Sequence, residues 1–249
     1  MFTQLITDNL VDFPFNFEKH IIQFENYNEL EPFPFLNETT INILEKIIKN
    51  NMQYLQTNKR TANYIRGIGY RSHFIRELCY NPSILEYLQR LTGITLIPHY
   101  LLSNIAHVNI GIDNNKDVDE WHYDSVPYVL IILLSEPTTF EGGILEYEKD
   151  GNIHVVDFPH VGNAFFMKGS SLKHRVTRIL KGQRISLINS YMDINEKKDN
   201  DTKMKTFEID ANVEQEYFYG KTFWVGQQLQ NIQSKSDLQY YIQELQKLV

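Results

Sequence analysis

Residues 120–134 read EWHYDSVPYVLIILL and join a polar motif to the longest apolar run of the chain. The apolar part, 128–134, predicts a β-strand. His122 and Asp124 lie just before it and two positions apart, so in an extended chain both side chains point to the same side. This stretch therefore predicts a β-rich core with two potential metal ligands beside one of its strands.

Similar short runs continue on both sides of this stretch, separated by turn residues such as Asp150-Gly151. The predicted strands are 105–110, 128–134, 144–148, 154–157, 164–167, 174–179 and 185–191. Many short strands with regular turns favour a sandwich or a barrel, including the double-sheet jelly roll.

The first 95 residues have mainly helical periodicity. Thr40 is predicted to cap a helix that ends near residue 55, a short helix follows at 74–78, and Asn81-Pro82 opens a third that ends before Gly93. A last helix is predicted to begin at Ser236. The remaining parts are predicted to be an irregular arm over 1–37 with a strand at 21–24, and loops over 57–70, 111–120 and 195–203. Substrate contacts are expected from the helical N-terminal part and from loops such as 57–70 and 111–120.

We therefore predict an α+β protein in which helices pack on a β-core. The chain is expected to be a single domain over 1–249, with a mainly helical part at 1–95, the β-core at 96–192 and a C-terminal extension at 193–249.

The composition excludes several classes of protein. A net charge of −7 without a long basic run argues against a nucleic-acid partner. The apolar run 128–134 is far shorter than the roughly 20 residues that span a bilayer. The N-terminus has no basic start followed by an apolar stretch, and Cys79 is the only cysteine. A cytoplasmic protein without a membrane partner is expected.

A second histidine, His174, follows Asp124 by 50 residues, and Arg184 follows His174 by 10. Two histidines and one carboxylate can occupy one face of an octahedral Fe(II) and leave positions open for oxygen and a co-substrate. Zn(II) accepts the same ligands, so a zinc hydrolase stays open. Arg184 favours iron, because a guanidinium can bind the carboxylate of a co-substrate in bidentate fashion, and Ser186 can add a hydrogen bond.

Five further residues are candidates for the same site. Asn109 and His107 alternate on the strand that enters it, so both can face the cavity. Asn109 is predicted to bind the co-substrate or the substrate, and Tyr128 to donate to the co-substrate carboxylate. For the substrate, we expect contacts from His107, from Arg178 if the substrate is anionic, and from Trp121 as part of the pocket wall.

The motif made by His122, Asp124, His174, Arg184 and Ser186 resembles that of the Fe(II)- and 2-oxoglutarate-dependent oxygenases. Residues 140–145, FEGGIL, also resemble a turn common in that family. The resemblance covers roughly residues 96–192. Over 118–125 it is similar to a branch of small enzymes that act on amino acids, some fungal members of which form aziridines.

The resemblance implies a fold, cofactors and a reaction. The fold would be a double-stranded β-helix, the cupin-like jelly roll, with N-terminal helices packed on it and a C-terminal helix. Fe(II) would be the metal and 2-oxoglutarate the co-substrate, released as succinate and CO2 while O2 oxidises a small molecule, most commonly by hydroxylation. Prolyl hydroxylases belong to the same superfamily, so a peptide substrate is the alternative within it.

Overall fold

The computed structural model describes residues 13–99, 105–113, 115–196, 213–230 and 232–247. The strands within these ranges are, in chain order, β1 (Phe33–Pro34), β2 (Tyr64–Ile65), β3 (Leu96–Pro98), β4 (His107–Ile112), β5 (Asp117–His122), β6 (Tyr128–Leu133), β7 (Glu141–Gly142), β8 (Leu145–Lys149), β9 (Asn152–Val156), β10 (Asn163–Met167), β11 (Lys173–Lys181) and β12 (Gln183–Asp193). All their pairings are antiparallel.

These strands form two sheets. The larger has the order β1-β10-β6-β12-β4-β2, with β3 beside one end of β12. The smaller has the order β5-β11-β8-β9, with β7 beside one end of β11. Strands that follow each other in the chain, such as β4, β5 and β6, fall in alternate sheets, so the chain passes repeatedly from one sheet to the other.

The space between the sheets is filled by one apolar cluster, to which β6 contributes Val129, Ile131 and Leu133. The alternate residues of β6, including Leu130 and Ile132, belong to a second cluster on the outer face of the larger sheet. Because both faces of β6 are buried, its sequence is continuously apolar rather than alternating. This explains why 128–134 is the clearest strand signal in the chain.

Helices cover that outer face. The described helices are α1 (Phe17–His20), α2 (Glu38–Lys49), α3 (His73–Tyr80), α4 (Pro82–Thr92), α5 (Val213–Leu229) and α6 (Lys235–Gln246). Leu44 of α2, Leu78 of α3 and Leu88 of α4 are buried in the same cluster as Leu130. α5 and α6 pack together through Trp224 and Tyr241. Within the described ranges, no helix has the length and apolar character that crossing a membrane requires.

The predicted α+β class is confirmed, as antiparallel sheets with a few helices. Each of the seven predicted strands is found, with ends shifted by at most two residues. Asn81 caps α4, which begins at Pro82, and Gly93 ends it in the left-handed conformation, as the sequence predicts.

Several local predictions are wrong. Residues 111–120 are not a loop, because β4 ends at Ile112 and β5 begins at Asp117. The segment 57–70 contains β2 and a short 3₁₀ helix, and the strand expected at 21–24 is a single bridge between Ile21 and Leu36. α5 was not predicted, because its apolar residues do not keep to one face. Of the loop expected at 195–203, residues 197–203 lie outside the described residues.

α2 also begins and ends earlier than predicted. Asn37, not Thr40, caps it: the Asn37 side-chain oxygen accepts from the Thr40 N–H at 3.0 Å, and the helix ends at Lys49. The Thr40 hydroxyl instead donates to the main-chain oxygen of His20 at 2.7 Å. Asn and Thr are both common N-cap residues, so the sequence allowed either Asn37 or Thr40 to cap α2. In the structure the Thr40 hydroxyl binds His20 of α1, and Asn37 is the cap.

Replacing Asn37 with Ala should lower the free energy of unfolding by about 1–2 kcal/mol, because α2 loses its N-cap. Asn37 also donates to the main-chain oxygen of Lys19, so the upper part of that range is expected. Chemical denaturation measures the change. Asn42→Ala, at an exposed position in α2, is the control and should change stability by less than about 0.5 kcal/mol. Equal losses in both variants would contradict the assignment of the cap.

Candidate metal centre

The two predicted histidine ligands are neighbours across two paired strands. His122 ends β5, His174 lies at the start of β11, and the register of the two strands places their Cα atoms opposite each other. Their ring centroids are 4.2 Å apart. Strand pairing in the smaller sheet therefore explains how residues 52 positions apart in the chain come together.

Both imidazoles are oriented by their own backbone. Nδ1 of His122 lies 2.6 Å from the main-chain oxygen of Glu120, and Nδ1 of His174 lies 2.8 Å from that of Leu172. With Nδ1–H donating to these carbonyls, each Nε2 keeps its lone pair for a metal. The two Nε2 atoms point to a common side, toward Asp124.

Asp124 completes the centre. Its Oδ1 is 3.3 Å from Nε2 of His122 and its Oδ2 is 3.5 Å from Nε2 of His174. One ligand atom from each of the three residues lies within 4.8 Å of the other two. Ligand atoms at about 2.1 Å from one metal, at right angles, would be about 3 Å apart. The three side chains are therefore close to the spacing that a shared metal ion requires.

The charges of the centre suit a cation. Burial raises the pKa of Asp124, but its interactions with His174 and His122 outweigh burial and hold that pKa well below its usual range. Burial lowers the pKa of His174, which favours its neutral imidazole. Burial also acts to lower the pKa of His122, but the carboxylates of Asp124 and Asp119 outweigh it and raise that pKa, so a metal that binds Nε2 would displace a proton there. A deprotonated carboxylate and a neutral imidazole are the forms that bind metals.

Gly169 makes room for the carboxylate. Its main-chain oxygen accepts from the N–H of Asp124 at 2.9 Å, and a Cβ at residue 169 would overlap the Asp124 side chain. The sequence analysis did not single out this glycine, because the contact joins residues 45 positions apart. Gly169 therefore positions a ligand without itself being one.

We expect Gly169→Ala to weaken metal binding by about 10- to 100-fold, the range observed when residues that orient ligands are changed. The added methyl group displaces the Asp124 carboxylate from the two imidazoles. Titration with Ni(II) or Mn(II) measures the affinity. Gly226→Ala is the matched control, since a Cβ there meets no atom within 4 Å. Unchanged affinity in Gly169→Ala would show that the Asp124 side chain can move without loss.

Arg184 lies between the sheets and is 1% exposed. Its Nη1 donates to Oγ of Ser186 at 3.0 Å, whereas Nη2 has no hydrogen-bond partner among the described residues. No described carboxylate lies within ion-pair distance of it. Burial lowers the pKa of Arg184 to about 10, so the group remains a cation at neutral pH. A buried cation with an unused donor is suited to bind an anionic ligand.

The register of β12 and β4 places Arg184 on a strip of inward-facing residues formed by alternate positions of these two strands. Arg184 is opposite Gly111, Ser186 opposite Asn109, and Ile188 opposite His107. The bond from Arg184 to Ser186 directs the guanidinium along β12 toward His107.

Asn109 and His107 both lie on this strip, as predicted. Asn109 is 5% exposed, and its Oδ1 has no partner in the described part of the chain. Burial, followed by the charge of Arg66, lowers the pKa of His107 to about 3, and the charges of Asp124 and His122 also act on it. His107 is therefore a neutral group beside the metal centre.

Tyr128 is not on this strip, which corrects its expected position. It belongs to the outer cluster under the helices and stacks on Phe166 at 5.7 Å. Its hydroxyl donates to Glu196 at 3.3 Å. The side chains of β6 that face Arg184 are the odd-numbered ones, such as Val129.

Trp121 and Arg178 lie outside the centre as well. Trp121 points to the outer face of the smaller sheet, where Lys173 and Arg175 lie over its ring at 5.4 and 4.9 Å. Arg178 is exposed, because the inward-facing residues of β11 shift from Val176 to Ile179, three positions on. We expected both side chains to face the ligands, and this expectation is wrong. The irregularity of β11 turns Arg178 outward, and the alternation of β5 turns Trp121 to the face opposite His122.

Asp119 is an acidic residue of the centre that the sequence analysis missed. Its Oδ2 is 3.7 Å from Nε2 of His122, while its Oδ1 accepts from Nε of Arg60 at 2.9 Å and from the Thr61 hydroxyl at 3.1 Å. The signal was hidden because 111–120 was predicted to be a loop. In β5, Asp119 instead faces the same side as His122.

No family model matches this chain, and no curated protein matches its sequence. Solved structures do resemble it. A 2OG-Fe(II) oxygenase family oxidoreductase from Burkholderia pseudomallei is 11% identical over 63% of this chain and 79% of that one, with a TM-score of 0.46. A prolyl-4-hydroxylase from Pseudomonas putida is 11% identical over 61% of this chain and 85% of that one, with a TM-score of 0.44.

HygX from Streptomyces hygroscopicus, solved with nickel and 2-oxoglutarate bound, is 12% identical over 64% of this chain and 79% of that one, with a TM-score of 0.44. The Burkholderia protein is described as a member of the family that the sequence motif resembles, and HygX binds 2-oxoglutarate, the co-substrate of that family. None of the three descriptions concerns aziridine formation. Since every TM-score is below 0.5, the chemistry of the site is inferred from its own side chains.

Proposed function

We propose that this protein is an Fe(II)- and 2-oxoglutarate-dependent oxygenase that oxidises a small molecule. The observation that carries the proposal is the buried guanidinium of Arg184, which has an unused donor and points along β12 toward a His-Asp-His cluster. A metal site alone would serve a zinc hydrolase equally well. A buried arginine at some distance from the metal is needed when the co-substrate has a second carboxylate that must be bound away from the metal.

The strand order supports a double-stranded β-helix. Eight strands are divided equally between the sheets: β4, β6, β10 and β12 in the larger, and β5, β8, β9 and β11 in the smaller. From β4 to β12, β7 aside, the chain changes sheet after every strand except between β8 and β9, which form a hairpin. In this arrangement the ligands come from the end of β5 and the start of β11, and the arginine from β12. We propose that the helices and the C-terminal segment belong to the same single domain.

His122, Asp124 and His174 would hold the metal, and the donor set of two imidazoles and one carboxylate fits Fe(II). When bound, Fe(II) would supply the O2 chemistry that couples decarboxylation of 2-oxoglutarate to oxidation of a substrate C–H bond. Arg184 would bind the distal carboxylate of 2-oxoglutarate, with Ser186 orienting the guanidinium. Asn109, on the strip between them, would add a hydrogen bond to the same ligand.

Hydroxylation is the outcome that we propose, with an amino acid or a derivative as substrate and a peptidyl residue as the alternative. The buried Cys79, the only cysteine in the sequence, is compatible with a reducing compartment, and we propose a cytoplasmic location.

The test is reconstitution of the purified protein with Fe(II) without oxygen, followed by 2-oxoglutarate and then O2. We expect a visible charge-transfer band when 2-oxoglutarate is added, and succinate when O2 is admitted. A protein that binds metal but shows neither the band nor succinate would refute the oxygenase. Zinc-dependent hydrolysis that ignores 2-oxoglutarate would support the hydrolase instead.

A further inference from the structure

A short segment ahead of β4 brings two arginines to the metal centre. Gln56 and Tyr64 exchange main-chain hydrogen bonds of 2.8 and 2.9 Å, which close the segment into a loop. Inside the loop, the side-chain oxygen of Asn58 accepts from the N–H groups of Arg60 and Thr61 at 2.9 and 2.7 Å. The loop is therefore ordered by its own hydrogen bonds.

This loop is attached to β5 beside a predicted metal ligand. The N–H of Ala62 donates to the main-chain oxygen of Val118 at 3.0 Å. Arg60 and Thr61 both bind Asp119, whose other oxygen is 3.7 Å from Nε2 of His122. Arg60 is thus one carboxylate away from the metal centre, and its side chain is 39% exposed, so a ligand can reach it.

Arg66 follows β2, which extends the larger sheet. Tyr64 is opposite Asn109 and Ile65 is opposite Val108. Ile65 is buried in the cluster under the helices, so the alternate positions 64 and 66 face the other side, with Asn109. The Arg66 guanidinium lies 5.4 Å from the centroid of the Tyr64 ring.

Charged groups of the centre act on Arg66 as well. Burial and the neighbouring charge of Arg60 lower the pKa of Arg66, whereas Asp119 and Asp124 act in the opposite direction. Asp119 binds Arg60, and under the proposed function Asp124 is a metal ligand. These groups are two guanidiniums and two carboxylates, and one of the carboxylates, Asp124, would then bind the metal. An oxyanion that approaches this edge of the centre would meet the positive charges of both guanidiniums.

We propose that Arg66, with Arg60 beside it, binds an oxyanion of the primary substrate, and that the substrate is a small molecule carrying a carboxylate or another oxyanion. This site is separate from Arg184, which lies on β12 within the sandwich. The inference rests on the proposed function for its catalytic meaning, but the binding of an anion does not require turnover.

The experiment uses protein loaded with Ni(II) and 2-oxoglutarate, in which no oxidation occurs. The probes are the standard L-amino acids and acetate, each paired with its carboxamide, and inorganic phosphate, with binding measured by NMR titration. In the unmodified protein, at least one oxyanion should bind about 10- to 100-fold more tightly than its neutral counterpart, as expected for charge-assisted hydrogen bonds. Preference for a carboxylate or for phosphate distinguishes the two kinds of substrate.

In Arg66→Gln the oxyanion and its amide should bind within about threefold of each other, because the charge that separates them is gone. Arg66→Lys should keep part of the preference and serves if the glutamine variant fails to fold. Arg178→Gln, an exposed arginine on β11, is the matched control and should behave as the unmodified protein.

Two results would overturn the proposal: no probe favoured over its neutral partner in the unmodified protein, or a preference that survives in Arg66→Gln. Metal and 2-oxoglutarate binding are titrated separately. Anion binding that depends on Arg66, without 2-oxoglutarate binding, would refute the oxygenase and leave the anion site standing. Binding of 2-oxoglutarate without anion binding that depends on Arg66 would refute the anion site and leave the proposed oxygenase standing.

Discussion

Replacing His174 with Ala is expected to abolish metal-dependent activity. The imidazole is one of only three ligand groups in the described centre, and its partner His122 cannot replace it from the paired strand. Changes to residues that merely orient ligands weaken metal binding by about 10- to 100-fold, so loss of a ligand should cost at least about 100-fold. Metal titration followed by succinate formation measures both effects.

Asp124→Asn is the second variant for this prediction. It keeps the size of the side chain and removes the negative charge that two histidines stabilise. His154→Ala is the control, since His154 lies in β9, is exposed and stacks on Tyr147 of β8. Far-UV circular dichroism shows whether each variant is folded. A folded His174→Ala protein with normal metal affinity would refute the proposed centre.

The three candidate metal ligands could be predicted from the sequence because a metal demands particular side chains at particular spacings. His122 and Asp124 are two apart on an extended segment, and His174 opens a later strand. The structure adds the reason that the spacing works, which is the pairing of β5 with β11. Arg184 could also be predicted from its spacing, since it follows His174 by 10 residues and lies near the start of β12.

The faces of individual side chains were harder to predict. His174 is opposite His122, but Val176 is opposite Asp119, so β5 has one extra residue between these pairs. Such an irregularity reverses the alternation on which a face is predicted. Arg178 was placed at the site by alternation from His174, and Trp121 because it is the neighbour of His122. The structure puts both on the outside, and for Arg178 the reason is the three-residue step from Val176 to Ile179 in β11.

Long-range neighbours could not be predicted from local patterns. Thr61 and Asp119 meet across 58 residues. Arg60 and Arg66 come near the centre only because their segment pairs with β4 and contacts β5. A single sequence contains no local signal for such contacts, whereas it does contain one for a strand such as β6.

Replacing Arg184 with Met should have opposite effects on ligand binding and on stability. Without its guanidinium the protein should bind 2-oxoglutarate at least about 100-fold more weakly, since a bidentate charged contact is lost. Without ligand, the variant should be as stable as the unmodified protein or more stable. The reason is that burial lowers the pKa of Arg184 from its ordinary value to about 10, a penalty of about 3 kcal/mol on the charged form.

The sign of this penalty also fixes its pH dependence. The folded chain loses the proton of Arg184 near pH 10, whereas the unfolded chain keeps it to a higher pH. As the pH rises above about 10, the unfolded state binds more protons, so the penalty is progressively relieved there and is present in full at neutral pH. Methionine retains the aliphatic stem, which packs on Gly143, and removes the charge.

Thermal unfolding with and without ligand tests both effects in one experiment. A ligand present at 100 times its Kd stabilises the folded state by about 2.7 kcal/mol. Adding 2-oxoglutarate to the Ni(II)-loaded protein should therefore stabilise the unmodified protein by about 2.7 kcal/mol and Arg184→Met by less than about 0.5 kcal/mol. With Ni(II) alone, Arg184→Met should match or exceed the stability of the unmodified protein. Arg178→Met, at an exposed position, should follow the unmodified protein in both conditions. If Arg184→Met is clearly less stable without ligand, the guanidinium serves the fold itself, and the co-substrate loses its proposed binding group.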